Sequence, residues 1–211
     1  MENMANLPIN TFLDKLGSSD PAPGGGAVAA LCGGLGTALT SMVANFTVGR
    51  KKYLLHDELM KTILSDLAQV RSELESSIEK DAQVFTSVTD AYSLPNDSPD
   101  EKSARTAAIQ KSLKEATLVP FEVMVLCKSG LSISAKAMGK SNTNVITDLG
   151  AAALLFNAAI KASMLNVLIN LAAINDKDFI AEYREKSNDL LMAGEELSKE
   201  IHTHVLNEIL H

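Results

Sequence analysis

Residues 21–49 read PAPGGGAVAALCGGLGTALTSMVANFTVG, without one charged side chain, and Arg50-Lys51-Lys52 follows at once. A stretch this long and apolar is either a helix buried on all sides or a membrane span. Thr37, Thr40, Ser41, Asn45 and Thr47, with few Leu, Ile or Phe between them, favour burial in protein. Gly33, Gly34 and Gly36, with Ala29, Ala30 and Ala38, thin the helix so that another can approach closely. Glycine inside a helix costs about 1 kcal/mol relative to Ala. Close helix contact, within the chain or across a dimer axis, is the simplest offset.

The mouth of this helix is the strongest functional clue. Gly24, Gly25 and Gly26, after Pro23, can adopt backbone conformations that other residues resist. A helix start also carries unpaired N–H groups and the positive end of a dipole. A carboxylate, phosphate or polar heterocycle fits there, and a plain chain turn is the alternative. No Gly-Lys-Ser/Thr follows at P-loop spacing and no strand precedes, so neither nucleotide fingerprint applies.

Helical spacing recurs along the rest of the chain. Segments 9–16, 26–47, 57–92, 100–118, 121–138, 145–174 and 178–210 read as helices. Asn10 or Thr11 is available to cap the first, and Pro120 is expected to interrupt the stretch from 100 to 138. Period-2 alternation with β-branched enrichment is missing throughout. The expectation is an all-α bundle of long helices, one domain over residues 1–211.

Composition narrows the function. Hydrophobic residues make up 46% of 211, charged residues 21% and aromatics 4%, with no Trp, so the core is aliphatic. The net charge of −7 argues against a nucleic-acid partner. Cys32 and Cys127 form neither a disulfide framework nor a metal spacing. No basic segment followed by an apolar run opens the chain, so a cytoplasmic protein without a leader is expected.

Among polar residues, Arg50, Lys51 and Lys52 either complement a helix C-terminus or hold a carboxylate-bearing substrate. Asp148, one turn after Asn144, is either a helix-start partner or a carboxylate whose pKa apolar neighbours raise. Asn157 and Lys161 share one face of the same helix, as do Asn166 and Asn170; buried, they need partners. Asp81, within an amphipathic helix, is expected to be solvated. His202 and His204, two apart, point to different sides and make no metal pair.

Several of these segments also carry a likeness. Pro21-Ala-Pro-Gly-Gly-Gly-Ala-Val-Ala-Ala30, Met42-Val-Ala-Asn-Phe-Thr47 and Lys51-Lys52-Tyr53 resemble the cyclodeaminase/cyclohydrolase family of folate enzymes. Lys80-Asp81 with Phe85, Asn142-Thr-Asn144 with Asp148, and Asn166-Val-Leu-Ile-Asn170 extend the resemblance over nearly the whole chain. Thr147, before Asp148, stands where a serine is common in that family.

The resemblance implies a helical homodimer that takes tetrahydrofolate derivatives, with or without a polyglutamate tail, as substrate. It implies no separate cofactor or metal and no membrane. Methenyltetrahydrofolate cyclohydrolase is the expected activity, since the chain leaves no room for a formiminotransferase domain. The alternatives are formimidoyltetrahydrofolate cyclodeaminase and a non-catalytic folate-binding protein. Asp148 and Asn144 are the expected catalytic pair. Pro23, Gly24, Gly25, Gly26, Lys51, Lys52, Asn142, Asn166 and Asn170 are the expected substrate contacts.

Overall fold

Helices α1 (Ile9–Leu16), α2 (Gly25–Asn45), α3 (Asp57–Tyr92), α4 (Pro99–Ala135), α5 (Ile146–Leu171) and α6 (Lys177–Leu210) build the protein in a computed structural model. Short 3-10 turns at Met4–Asn6, Lys51–His56 and Thr143–Val145 complete the ordered elements, and no strand occurs among the described residues. The structure describes residues 4–211, so the first three residues of the expected 1–211 domain lie outside them.

Local chemistry sets the helix starts. Ser98 Oγ accepts the Glu101 N–H at 3.2 Å, and Glu101 Oε2 accepts the Ser98 N–H at 2.8 Å. This reciprocal cap starts α4 at Pro99, one residue earlier than the spacing suggests. Asp176 caps α6 by accepting the Phe179 N–H at 3.1 Å. The expected cap of α1 is absent: Pro8 precedes the helix, and neither Asn10 nor Thr11 caps it. Pro8 holds the cap position itself: its carbonyl accepts the Phe12 N–H at 2.9 Å, and its ring has no acceptor to offer the first-turn N–H groups.

Pro120 does not interrupt the fourth helix. It lies inside a continuous α4, because the carbonyl it leaves unpaired finds a donor on α5, described below.

Helices α2 to α5 pack as a four-helix bundle in which consecutive helices run antiparallel, and α6 packs against α4 and α5. Lys136–Asp66 and Lys80–Glu122 ion pairs, 3.5 and 3.6 Å, tie α3 to α4. The core is built from Met60, Ile63, Leu67 and Leu74 of α3, Met124 and Leu131 of α4, Leu149, Phe156 and Ile160 of α5, and Ile201 of α6. Each such side chain contributes about 1.5–3 kcal/mol on burial. From α2 come small residues, among them Ala29, Ala30 and Ala44.

The thin face of α2 is largely spent inside the chain. A Cβ on Gly33 would lie 2.7 Å from Cys127 Sγ, and one on Gly36 would lie 3.0 Å from the Phe156 ring. Gly34, by contrast, faces open space beside exposed Leu35 and Met42. Leu154, Leu165 and Ile169 of the neighbouring α5 are also exposed. Three helical segments, Gly25–Asn45, Pro99–Ala135 and Thr143–Leu171, are long and apolar enough to cross a membrane; about half of each apolar window (50%, 56% and 44%) is buried inside the bundle.

Candidate functional site

Two polar clusters lie at opposite ends of α2. At its start, Gly24 is the residue before the first turn, with φ −124° and ψ −162°. This is ordinary extended backbone. Among the described residues only Gly49 and Gly139 have positive φ, so the triple glycine is not there for torsional freedom. Space is the reason at Gly26: a Cβ there would come within 2.6 Å of Asp81 Cγ. Lacking one, α2 docks its first turn on α3, and the Ala27 N–H donates to Asp81 Oδ2 at 3.0 Å.

One N–H of this helix start, that of Ala27, is therefore taken by the protein's own carboxylate. Asp81 is half-buried, not solvated, and this corrects the sequence-based expectation. Burial pushes its pKa above the ordinary Asp value, and the Ala27 N–H, which favours the charged form, offsets only part of that rise.

Asp81 opens on a cavity of ≈ 300 Å³ lined also by Val84, Phe85, Pro120, Asn166 and Asn170. Both amides there are already committed through nitrogen. Asn166 Nδ2 donates to the Ala162 carbonyl at 3.0 Å, and Asn170 Nδ2 donates to the Ala116 carbonyl at 2.9 Å. Each amide keeps one further N–H, and beside these stand the larger set of acceptors, the two amide oxygens and the carboxylate. Such a cavity accepts hydrogen bonds or holds a delocalised cation, and it disfavours an anion.

At the far end of α2, a cleft of ≈ 480 Å³ is lined by Phe46, Arg50, Lys51, Lys52, Tyr53, Asn142, Thr143, Asn144 and Val145. Its charged lining is wholly cationic, and none of the three cations has an ion-pair partner among the described residues. The Asn142 side chain builds the wall. Its Nδ2 donates to the Phe46 carbonyl at 3.0 Å, and its Oδ1 accepts the Asn144 N–H at 3.1 Å. The Asn142 N–H donates to Thr47 Oγ1 at 2.8 Å. Tyr53 Oη accepts the Thr143 N–H at 3.2 Å, which joins the cationic turn to the polar turn. Hydrogen bonding from Thr143, then the nearby Lys52, lowers the Tyr53 pKa.

The sequence-predicted residues thus divide. Gly24, Gly25, Gly26, Asn166 and Asn170 gather at one end, beside buried Pro23. Lys51, Lys52, Asn142 and Asn144 gather at the other. Asp148 is half-buried in the first turn of α5, at the cationic end, and has no side-chain partner among the described residues. Lys161 is exposed and pairs with Glu195 at 2.7 Å, so it needs no partner from Asn157. The two ends are about 30 Å apart, the length of a 21-residue helix.

Asp81 and Tyr53 carry chemistry that their spacing did not announce. One signal for Asp81 is visible in hindsight: Leu67, Leu74, Asp81 and Val88 recur every seven residues. An acid in register with a core stripe is an acid facing other helices.

The chain matches the family model described as formiminotransferase-cyclodeaminase over residues 8–189. It is 38% identical over 204 residues to the methenyltetrahydrofolate cyclohydrolase of Methylorubrum extorquens, covering 97% of this chain and 98% of that one. The formimidoyltransferase-cyclodeaminase of Sus scrofa is 32% identical over 190 residues, 90% of this chain and 35% of the relative, so this chain spans about a third of that protein. The crystal structure of a formiminotetrahydrofolate cyclodeaminase from Thermotoga maritima superposes with a TM-score of 0.87 at 30% identity, covering 97% of this chain and 98% of the other.

Proposed function

The chain belongs to the formiminotransferase-cyclodeaminase family, and from that premise we propose that it is a cytoplasmic folate enzyme, a methenyltetrahydrofolate cyclohydrolase. The observation that carries the reading is the Asp81 cavity. The 5,10-methenyl bridge is a delocalised N–C–N cation, the kind of group that an acceptor-lined cavity holds. Exposed Phe85 at the rim offers an aromatic face to the pterin.

In the proposed reaction, water attacks the bridge carbon and the Asp81 carboxylate takes its proton. The neutral tetrahedral adduct then collapses. Asp81 returns the proton to N5 as the C–N5 bond breaks, the hydroxyl loses its proton to solvent, and 10-formyltetrahydrofolate leaves. A carboxylate with a raised pKa suits this double duty, a part the sequence reading expected of Asp148. Tetrahydrofolate is substrate here, and the proposal assigns no cofactor or metal.

Arg50, Lys51 and Lys52 are assigned to the glutamate carboxylates, including those of a polyglutamate tail. The distance between the two ends then calls for a second copy. In a homodimer whose two-fold axis runs across α2 and α5, each cationic end, with Asn144 and Asp148, meets the partner's glycine end. The exposed apolar residues of α2 and α5 support that pairing.

The Thermotoga structure favours a second reading, cyclodeaminase. There N10 attacks the carbon of the protonated formimino group, the same carboxylate passes the N10 proton to the amine nitrogen, and ammonia leaves the methenyl cation behind. Purified protein given each substrate separately decides between them. Loss of methenyl absorbance supports the hydrolase, and ammonia release from 5-formiminotetrahydrofolate supports the deaminase. Tight folate binding with neither product leaves the non-catalytic binding protein.

A further inference from the structure

Pro120 lies within α4, buried, and against the cavity. A proline there withholds the N–H that the carbonyl four residues earlier would accept. That carbonyl belongs to Ala116, and the missing donor is supplied by Asn170 Nδ2 at 2.9 Å, 54 residues away on α5. The bond commits the amide. With one of its two N–H groups on the backbone, the amide is held against turning over, and its Oδ1, without a partner among the described residues, keeps a fixed place beside the remaining N–H. Were residue 120 any other amino acid, its own N–H would occupy the Ala116 carbonyl, and Asn170 could turn either end toward a ligand.

We infer that Pro120 is a positioning residue: through the Ala116 carbonyl it locks the Asn170 amide with its oxygen toward the cavity, so that the cavity selects hydrogen-bond donors. Asn166 is held in a similar way by the Ala162 carbonyl of its own helix. The two amide oxygens and Asp81 line one cavity. This inference rests on the cavity being the folate site.

A double-mutant cycle on methenyltetrahydrofolate hydrolysis tests it. Pro120→Ala keeps the protein folded, since Ala is the better helix former. Its KM rises about 3- to 10-fold, the worth of one neutral hydrogen bond, with kcat little changed. In an Asn170→Ala background the same substitution leaves KM unaltered, because there is no amide left to release. An equal rise in both backgrounds overturns the inference, since Pro120 would then act on the helix and not through Asn170. A rise for Asn170→Ala with none for Pro120→Ala also overturns it and leaves the cavity assignment standing. An Asn170→Ala KM equal to wild type strikes the cavity assignment itself. Independently of turnover, the Asn170 side-chain amide protons exchange with deuterium faster in Pro120→Ala than in wild type; equal rates contradict the lock.

Discussion

Asp81 is an acid kept partly out of water by a glycine. Because Gly26 has no side chain, the first turn of α2 settles on the carboxylate, and the Ala27 N–H binds it. The raised pKa has a consequence for stability. As pH climbs past the ordinary Asp value, the unfolded chain releases this proton while the folded chain still holds it. The unfolded state then binds fewer protons, so Asp81 lowers stability as pH rises through its folded pKa. Asp81→Asn, which can still accept the Ala27 N–H, is predicted to remove that decline. Its melting temperature at neutral pH should equal or exceed wild type in scanning calorimetry, and a clear drop would contradict the burial argument. The sequence reads Asp81 as solvated because it lies within an amphipathic helix, and its own spacing says little. The seven-residue register with Leu67 and Leu74 carried the opposite message, and it becomes legible only when the helix packed over it is known.

At the scale of elements, α2 explains both what the sequence disclosed and what it hid. Its uncharged run, and the 57–92 bounds of α3, follow directly from composition and helical spacing. Pro120 did not, since its effect depends on an Asn distant in sequence. The spacing marks the mid-helix glycines as close-contact positions; Gly33 and Gly36 are, against Cys127 and Phe156 of the same chain, while a Cβ on Gly34 would meet nothing within 4 Å. The cationic turn after α2 is a different matter. Among the described residues Arg50, Lys51 and Lys52 have no carboxylate partner around the cleft, Lys52 lying only over the Tyr53 ring at 5.1 Å, which a helix-terminus role alone would not require. Lys51→Ala is expected to raise the KM for folate about 10- to 100-fold while kcat holds, in the range of a charged hydrogen bond. The rise should be larger for polyglutamylated substrate and should shrink with added salt. An unchanged KM would remove the cleft from the site.

For the whole molecule, the question is how two ends about 30 Å apart serve one reaction. The apolar, exposed outer surfaces of α2 and α5 answer it if a second copy covers them. Leu35→Glu places a charge on that surface, twice over in an isologous pairing. The expected outcome in analytical ultracentrifugation is a monomer, with turnover reduced by about 10²-fold or more as the shared site comes apart. A fully active monomer would refute the shared site, and partitioning of the wild-type protein with lipid would show that a membrane covers the same face. The claim beneath all of this is that the Asp81 carboxylate works on the one-carbon bridge of a folate. It is tested most directly by the rate of methenyltetrahydrofolate absorbance loss for Asp81→Asn beside wild type. The account predicts a folded variant that still binds folate and is at least about 10²-fold slower; a folded variant as fast as wild type would contradict it.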